Sequence, residues 1–431
     1  MRQFLAVLIG KCVYAATKLR GGGSAFPGLV ALRVAPNLLA QAVRRLPRGV
    51  VLVVGSNGKS TTTHMISELL RHHGLRVFTN PTGANLPQGL ASSLVRQVGA
   101  SGIIQGDIAV LEVDEAFAVT LAEMLQPRIV VGLNTQVDQL SRYIETERAG
   151  AMMLDAMILA QEAIVTNRDD PYMSTVGEHM QAARSSSSPR VVSFGVSADV
   201  INESPSGLLN AENFSSRSSG PPQAGALDQA GAEVTALTSK GAQLSTGGGL
   251  LDVTLPARGL HYAVDAAAAV ATCQQVLGKS WSSDKTLQAF LAMKPAFGRG
   301  EVLPFGHTSV TFVMFKNLAS LQLNLDALPA DLGPVMLAID EGTADMSWIY
   351  DANFHALTHV DVISGAKCWQ IATCLTMKGV TFDRVEPQIE KAVAHLRTIS
   401  ENRVAQTWIV NYEVTMIARS LIGFTELETS A

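Results

Sequence analysis

Val51-Leu52-Val53-Val54-Gly55-Ser56-Asn57-Gly58-Lys59-Ser60-Thr61-Thr62-Thr63 decides the fold of this chain. Four consecutive apolar residues read as a buried strand, two glycines as a turn, and the threonines as the opening of a helix. A strand, a glycine turn and a helix start in that order make a phosphate cradle. Backbone N–H groups at the helix N-terminus point at the anion, and the helix dipole favours negative charge there. Lys59 is placed to neutralise the outer phosphates of a nucleoside triphosphate and Ser60 to offer its hydroxyl to Mg²⁺. The short pattern GxxGK[ST] is met; the longer GxxxxGK[ST] is not, because Val53 stands where it needs glycine.

Outward from the loop, apolar runs alternate with helical stretches: strands at Leu75–Thr79, Ile108–Val113, Arg128–Gly132, Ala163–Thr166 and Val191–Phe194, with a helix over Lys59–His73. Strands spaced by helices imply a parallel sheet with crossovers, an α/β class. The third run, Ile108-Ala109-Val110-Leu111-Glu112-Val113-Asp114-Glu115, ends in carboxylates. Mg²⁺ takes one or two carboxylates besides phosphate oxygens and water, so Glu112 is the first candidate ligand, with Asp114 and Glu115 behind it. Residues 200–249 have few aromatics and no regular period and hold Ser218-Ser219-Gly220-Pro221-Pro222 and Gly247-Gly248-Gly249, which reads as a mobile or poorly packed insertion. Pattern returns with a strand at Leu250–Leu255 and an alanine-rich helix over Ala263–Leu277. A second, smaller doubly wound unit follows from residue 302, with strands at Ser309–Met314, Pro334–Ile339, Asp361–Ser364 and Thr407–Val410.

Composition narrows the function. The 431 residues exceed what one core organises. A net charge of −4 with 47% hydrophobic and 16% charged residues excludes wholesale disorder and gives no basic surplus for nucleic acid. Four cysteines without a CxxC spacing signal neither a zinc ribbon nor a disulfide framework, so reduced thiols and a cytoplasmic setting are expected. The nine histidines show no metal spacing, and Trp281, Trp348, Trp369 and Trp408 read as packing anchors. The apolar start from Phe4 to Gly10 is cut by Lys11. It is too short to span a membrane and reads as a helix packing on the first domain, with peripheral contact with a membrane surface as the alternative.

These motifs together resemble the Mur ligase superfamily over nearly the whole chain, in its MurT-like branch. Gly55–Thr63 resembles the family's GTNGKTTT loop. Gly21–Gly28, Asn80 with Gly83–Leu86 and Gly89, Asn134 with Asp138–Leu140 and Arg142-Tyr143, and Asn167–Pro171 resemble further family segments in order. Ala296–Glu301 is similar to AFGRxE, Lys316-Asn317 to a KNP stretch, and Asp345–Asp351 to DxSWIWD. The resemblance implies an N-terminal helical segment (1–47), a P-loop central ATP-binding domain with a parallel sheet (48–301) and a C-terminal Rossmann-like domain (302–431).

It further implies ATP and Mg²⁺ as cofactors. Gly55, Ser56, Asn57, Gly58, Lys59, Ser60, Thr61, Asn167, Arg299 and Asp340 would contact nucleotide, Ser60 and Glu112 the metal, and Lys59, Glu112, Arg299 and Asp351 would serve catalysis. The implied reaction is amidation of the D-glutamate α-carboxylate of the lipid II stem peptide to D-isoglutamine through an acyl phosphate. Ammonia would come from a GatD-type glutaminase, whose Cys-His pair Asp351 would complete, at the inner face of the membrane. Two alternatives stand beside it: a Mur- or folylpolyglutamate-type ligase adding an amino acid unaided, and a degenerate nucleotide-binding scaffold. The chain departs from the family where a four-cysteine zinc ribbon would lie, in the cysteine-free segment 200–249, so zinc is not expected. It departs again at Asn353, Lys367 and Gln370.

Overall fold

The computed structural model describes residues 2–19, 25–80, 84–136, 146–183, 189–204, 206–209, 230–343, 345–399 and 405–424. Of the motif residues above, 21–24, Gly83, Asp138, Gln139, Leu140, Arg142 and Tyr143 lie outside the described residues, as does 210–229.

The first sheet holds β1 (Val50–Val54), β2 (Val77–Thr79), β3 (Ile108–Glu112), β4 (Ile129–Gly132), β5 (Ala163–Asn167), β6 (Arg190–Val196), β7 (Ala230–Thr238), β8 (Gly241–Thr246) and β9 (Gly249–Thr254) in the order β2-β3-β1-β4-β5-β6-β7-β8-β9. Pairing is parallel from β2 to β7 and antiparallel through β7, β8 and β9. Every β1 residue is buried because both faces are covered, which is why this strand reads as an unbroken apolar run. Val51 and Val53 face a layer built on the helices Lys59–His72 and Leu260–Leu277, while Val50, Leu52 and Val54 face the N-terminal helices and Leu90–Val95. The alanines of Leu260–Leu277 are fully buried at 266–269, and such small side chains let a helix lie close on a sheet.

β1 sits between β3 and β4: the chain leaves β1 toward β2 on one side and later crosses from β3 past β1 to β4 on the other. At such a switch point a crevice opens beyond the carboxyl ends of the strands. The glycine turn occupies that position.

The second sheet runs β10 (Arg299–Phe305), β11 (Thr308–Met314), β15 (Gln406–Val410), β12 (Val335–Ala338), β13 (His359–Ser364) and β14 (Thr381–Glu386) in space, all parallel except β10 against β11. Trp408 is its central anchor, fully buried with Phe305 and Phe312 edge-on at 5.0 and 5.3 Å.

Three expectations need correction. Segment 200–249 is not an unstructured insertion throughout: β7 and β8 fall within it, burying Ala232, Val234, Ala242 and Leu244 on alternate positions. Arg299–Glu301 begins the second sheet rather than closing the first unit. Trp369 is 63% exposed and anchors no core.

Candidate active site

Gly58 adopts a left-handed φ of 83° at the helix N-cap, a conformation that costs other L-residues a Cβ clash. The first intrahelical bond runs from the Thr62 N–H to the Gly58 carbonyl at 2.8 Å, so the amides of Lys59, Ser60 and Thr61 precede the ladder, as an anion site requires. The rest of the loop is fixed from β4's end. Ser56 N–H donates to the Asn134 carbonyl at 2.9 Å, Asn57 N–H to Asn134 Oδ1 at 2.9 Å, and Gln136 N–H to the Ser56 hydroxyl at 3.0 Å. Lys59 is buried, and its ammonium donates to the Gly55 carbonyl and, at 2.5 Å, to Glu115. The carboxylate that pairs with the lysine is therefore Glu115, one of the two placed behind Glu112 in the sequence reading. Asp114 instead caps the short turn that follows, accepting from Ala116 N–H at 3.1 Å.

The loop forms one wall of a cleft of about 1210 Å³ between the two sheets. Ser56, Asn57, Gly58, Lys59, Ser60, Thr61, Glu112, Asn167, Arg299 and Asp351 all line it. Gly55 is not among the lining residues, and its carbonyl accepts from the Lys59 ammonium. Asn167, at the end of β5, donates to the Leu133 carbonyl at 2.8 Å and accepts from Asp169 N–H at 3.0 Å. Asp340 is not among the lining residues, and its carboxylate accepts from the amides of Glu341 at 2.9 Å and Ala366 at 3.4 Å. Asp351 ends the short helical turn Ser347–Asp351 and is exposed at the cleft. The lobes touch through Asn57, whose amide donates to Gln136 and, at 3.2 Å, to Oδ1 of Asn317, the N-cap of the helix Leu318–Asp326.

Sequence reasoning missed the polar pair His261 and Asp265, one turn apart at the start of the alanine-rich helix, where the only available signal was polarity inside an apolar run. Asp265 is buried, accepts from the Thr62 hydroxyl at 3.1 Å, and lies directly against Gly58. Burial pushes its carboxyl up to about 7, against the opposing pull of Thr62 and Arg299. Burial and the Arg299 charge push His261 down to about 4, which keeps the imidazole neutral at neutral pH. Arg299 Nη1 is buried without a hydrogen-bond partner among the described residues, and a guanidinium nitrogen left so in a cleft beside a phosphate loop suits a phosphate oxygen. The donor set thus fits a nucleotide polyphosphate, and the Ser60 hydroxyl and Glu112 carboxylate on the same wall fit Mg²⁺.

The Asp265 shift has a stability consequence. Its carboxyl stays protonated in the fold to about pH 7 but ionises in the unfolded chain near its ordinary value of 3.8. The unfolded chain therefore loses its proton first. Stability is full below about pH 4, falls by about 1.4 kcal/mol per pH unit through that window, and levels off above pH 7. Asp265→Asn removes this slope. Urea unfolding should show the variant gaining on the wild type from pH 5 to pH 8, and parallel curves would refute the buried neutral carboxyl.

Away from the cleft, His359, Asp361 and Asp383 on β13 and β14 bring ligand-type atoms within 4.8 Å, which the histidine spacing did not reveal. Asp361 already accepts from Val335 N–H at 2.7 Å and the His359 ring contacts the Thr381 hydroxyl at 2.8 Å.

Comparison with known proteins agrees with this geometry. Residues 53–273 match the Mur ligase middle domain and residues 314–414 the MurT ligase C-terminal domain. The chain is similar to the lipid II isoglutaminyl synthase (glutamine-hydrolyzing) subunit MurT of Streptococcus pneumoniae, at 26% identity over 98% of this chain and 97% of that one. Among solved structures it resembles the UDP-N-acetylmuramoylalanyl-D-glutamyl-2,6-diaminopimelate–D-alanyl-D-alanyl ligase of Acinetobacter baumannii (TM-score 0.66, 18% identity, covering 93% of this chain and 79% of that one). It also resembles the folylpolyglutamate synthase of Mycobacterium tuberculosis complexed with ADP (TM-score 0.62, 15% identity, 98% and 99%). At such identities these two likenesses speak for the fold alone. With its middle-domain match spanning half the chain and a MurT-type C-terminal domain behind it, the chain belongs to the Mur ligase family of ATP-dependent carbon–nitrogen ligases.

Proposed function

We propose that the chain is the synthase subunit of a glutamine-dependent amidotransferase that converts the D-glutamate α-carboxylate of the lipid II stem peptide to D-isoglutamine, in a cytoplasmic, membrane-proximal setting. The observation that carries the reading is one cleft holding the phosphate loop and Lys59, Arg299 from the start of the second sheet, and an exposed Asp351. The full-length similarity to a subunit named for that synthase supports the acceptor.

A carboxylate is a poor electrophile. Its oxygen would attack the γ-phosphorus of ATP with ADP leaving, and ammonia would then attack the acyl carbon with phosphate leaving. The first-turn amides and Lys59 hold the phosphates, and Arg299 meets charge that grows on the transferred phosphoryl. Such a preorganised donor is worth roughly 3 kcal/mol. Ser60 and Glu112 would hold Mg²⁺, which when bound neutralises charge on the phosphates. Asn167 would meet the adenine.

Ammonia would come from a GatD-type glutaminase whose histidine Asp351 orients, stabilising the imidazolium as the third member of a triad does. Asp351→Asn should then cut glutamine-driven amidation by about a hundredfold or more while ammonia-driven amidation stays within about threefold. Equal losses with both nitrogen sources would remove Asp351 from the partner's chemistry. ATP turnover on lipid II, with and without the glutaminase, tests the whole reading. Turnover that needs a free amino acid and neither glutamine nor ammonia would replace it with unaided ligation.

A further inference from the structure

The helix Arg2–Leu19 buries Ala6 and Val7 against the first domain, and Gly10 packs so closely that a Cβ there would lie 3.0 Å from Val95. The opposite stripe is Phe4, Leu5, Leu8 and Ile9, continued by Cys12, Ala15 and Ala16. All are exposed, the first four by 48%, 44%, 44% and 38%. The next helix, Phe26–Val34, adds exposed Phe26 and Leu29. A surface helix ordinarily turns charged and polar residues to water; this one turns apolar residues outward as well as inward.

The charge around it is as lopsided. Residues 1–48 contain eight Lys or Arg and no Asp or Glu, a charge of +8, whereas the remaining residues sum to −12. Arg2, Arg33, Arg44 and Arg45 are exposed. No described helix is long and apolar enough to cross a membrane, so an apolar face of this length can lie on a bilayer but not through it.

We propose that this N-terminal helical layer docks in the plane of an anionic phospholipid surface. Phe4, Leu5, Leu8 and Ile9 enter the boundary between headgroups and acyl chains, and the exposed arginines of the layer meet lipid phosphates. Charge decides between occupants. A second copy would bring two strongly basic layers together, whereas an anionic bilayer complements one. The inference goes beyond the amidation reading and does not rest on it, since docking would hold for any acceptor.

Co-sedimentation of the full chain with phosphatidylglycerol vesicles and with phosphatidylcholine vesicles tests it. The wild type should bind phosphatidylglycerol about tenfold or more tightly than phosphatidylcholine, with affinity falling as salt is raised. Leu5→Glu with Leu8→Glu should weaken binding at least about tenfold, and Arg44→Glu with Arg45→Glu should weaken it on phosphatidylglycerol. Both pairs are exposed, so the thermal midpoint and binding of a fluorescent ADP analogue should stay unchanged, and Leu5→Gln with Leu8→Gln gives a second variant should the glutamates disturb folding. A wild type that ignores phosphatidylglycerol, or a Leu5/Leu8 variant that binds it equally well, would overturn the proposal. So would concentration-dependent self-association that the same variant abolishes without any vesicle binding, which would give the face to a second copy.

Discussion

Lys59→Ala is expected to lower ATP-dependent product formation by at least about a thousandfold, because on the proposed reading it removes the ammonium that would meet the polyphosphate at the loop. The variant should also unfold more easily, for a separate reason. Lys59 and Glu115 are a buried pair with side chains 8% and 9% exposed, and removing one partner strands the other charge, at a cost of about 3 kcal/mol. The two effects are separable. Glu115→Gln added to Lys59→Ala leaves no stranded carboxylate, so urea unfolding should recover most of the lost stability while turnover stays absent. A double variant that regains both would mean that the lysine acts through stability alone. A single variant within tenfold of wild-type turnover would take the phosphate loop out of the reaction.

Gly58→Ala should be nearly as damaging. An alanine at φ 83° costs about 1 kcal/mol in backbone strain. Its Cβ would fall 2.4 Å from Asp265 Oδ1, closer than real Cβ contacts come. Either the loop retreats or Asp265 leaves its bond to Thr62, and both disturb the first-turn amides proposed to hold the phosphates. The expected loss is about 2 kcal/mol or more in stability and about thirtyfold or more in affinity for a fluorescent ADP analogue. Introducing the alanine into an Asp265→Ala background removes the clash but not the backbone strain, so the penalty there should be smaller. Equal penalties in the two backgrounds would show that the buried carboxyl does not hold the glycine in place.

The parts of the fold that were legible from sequence are those where one physical requirement dictated residue type. β1 had to be apolar throughout because both faces are covered, and the turn after it had to contain Gly58 because of its left-handed backbone. The missed parts met weaker requirements. β7 and β8 are antiparallel and bury hydrophobic side chains only at alternate positions, Ala232 and Ala242 among them, so glycine, serine and threonine dominated their reading. β10 begins among Gly298 and Gly300 and contains Pro304, and β14 is an edge strand written with Thr381, Asp383, Arg384 and Glu386. In the site, Lys59 was legible from its loop, but its pairing with Glu115 depends on how the chain turns after β3. Asp265 was invisible because its role comes from Thr62 and Gly58, some two hundred residues earlier.

The amide of Asn57 that reaches Asn317 ties the phosphate loop to the lobe of the second sheet, so loop geometry responds to lobe spacing. A separation of an ångström or two breaks that bond, so whatever draws the lobes together also settles the loop, and whatever fills the loop also draws the lobes. By reciprocity, a molecule that engages only the lobe of the second sheet would change nucleotide retention by the same factor that nucleotide changes its own.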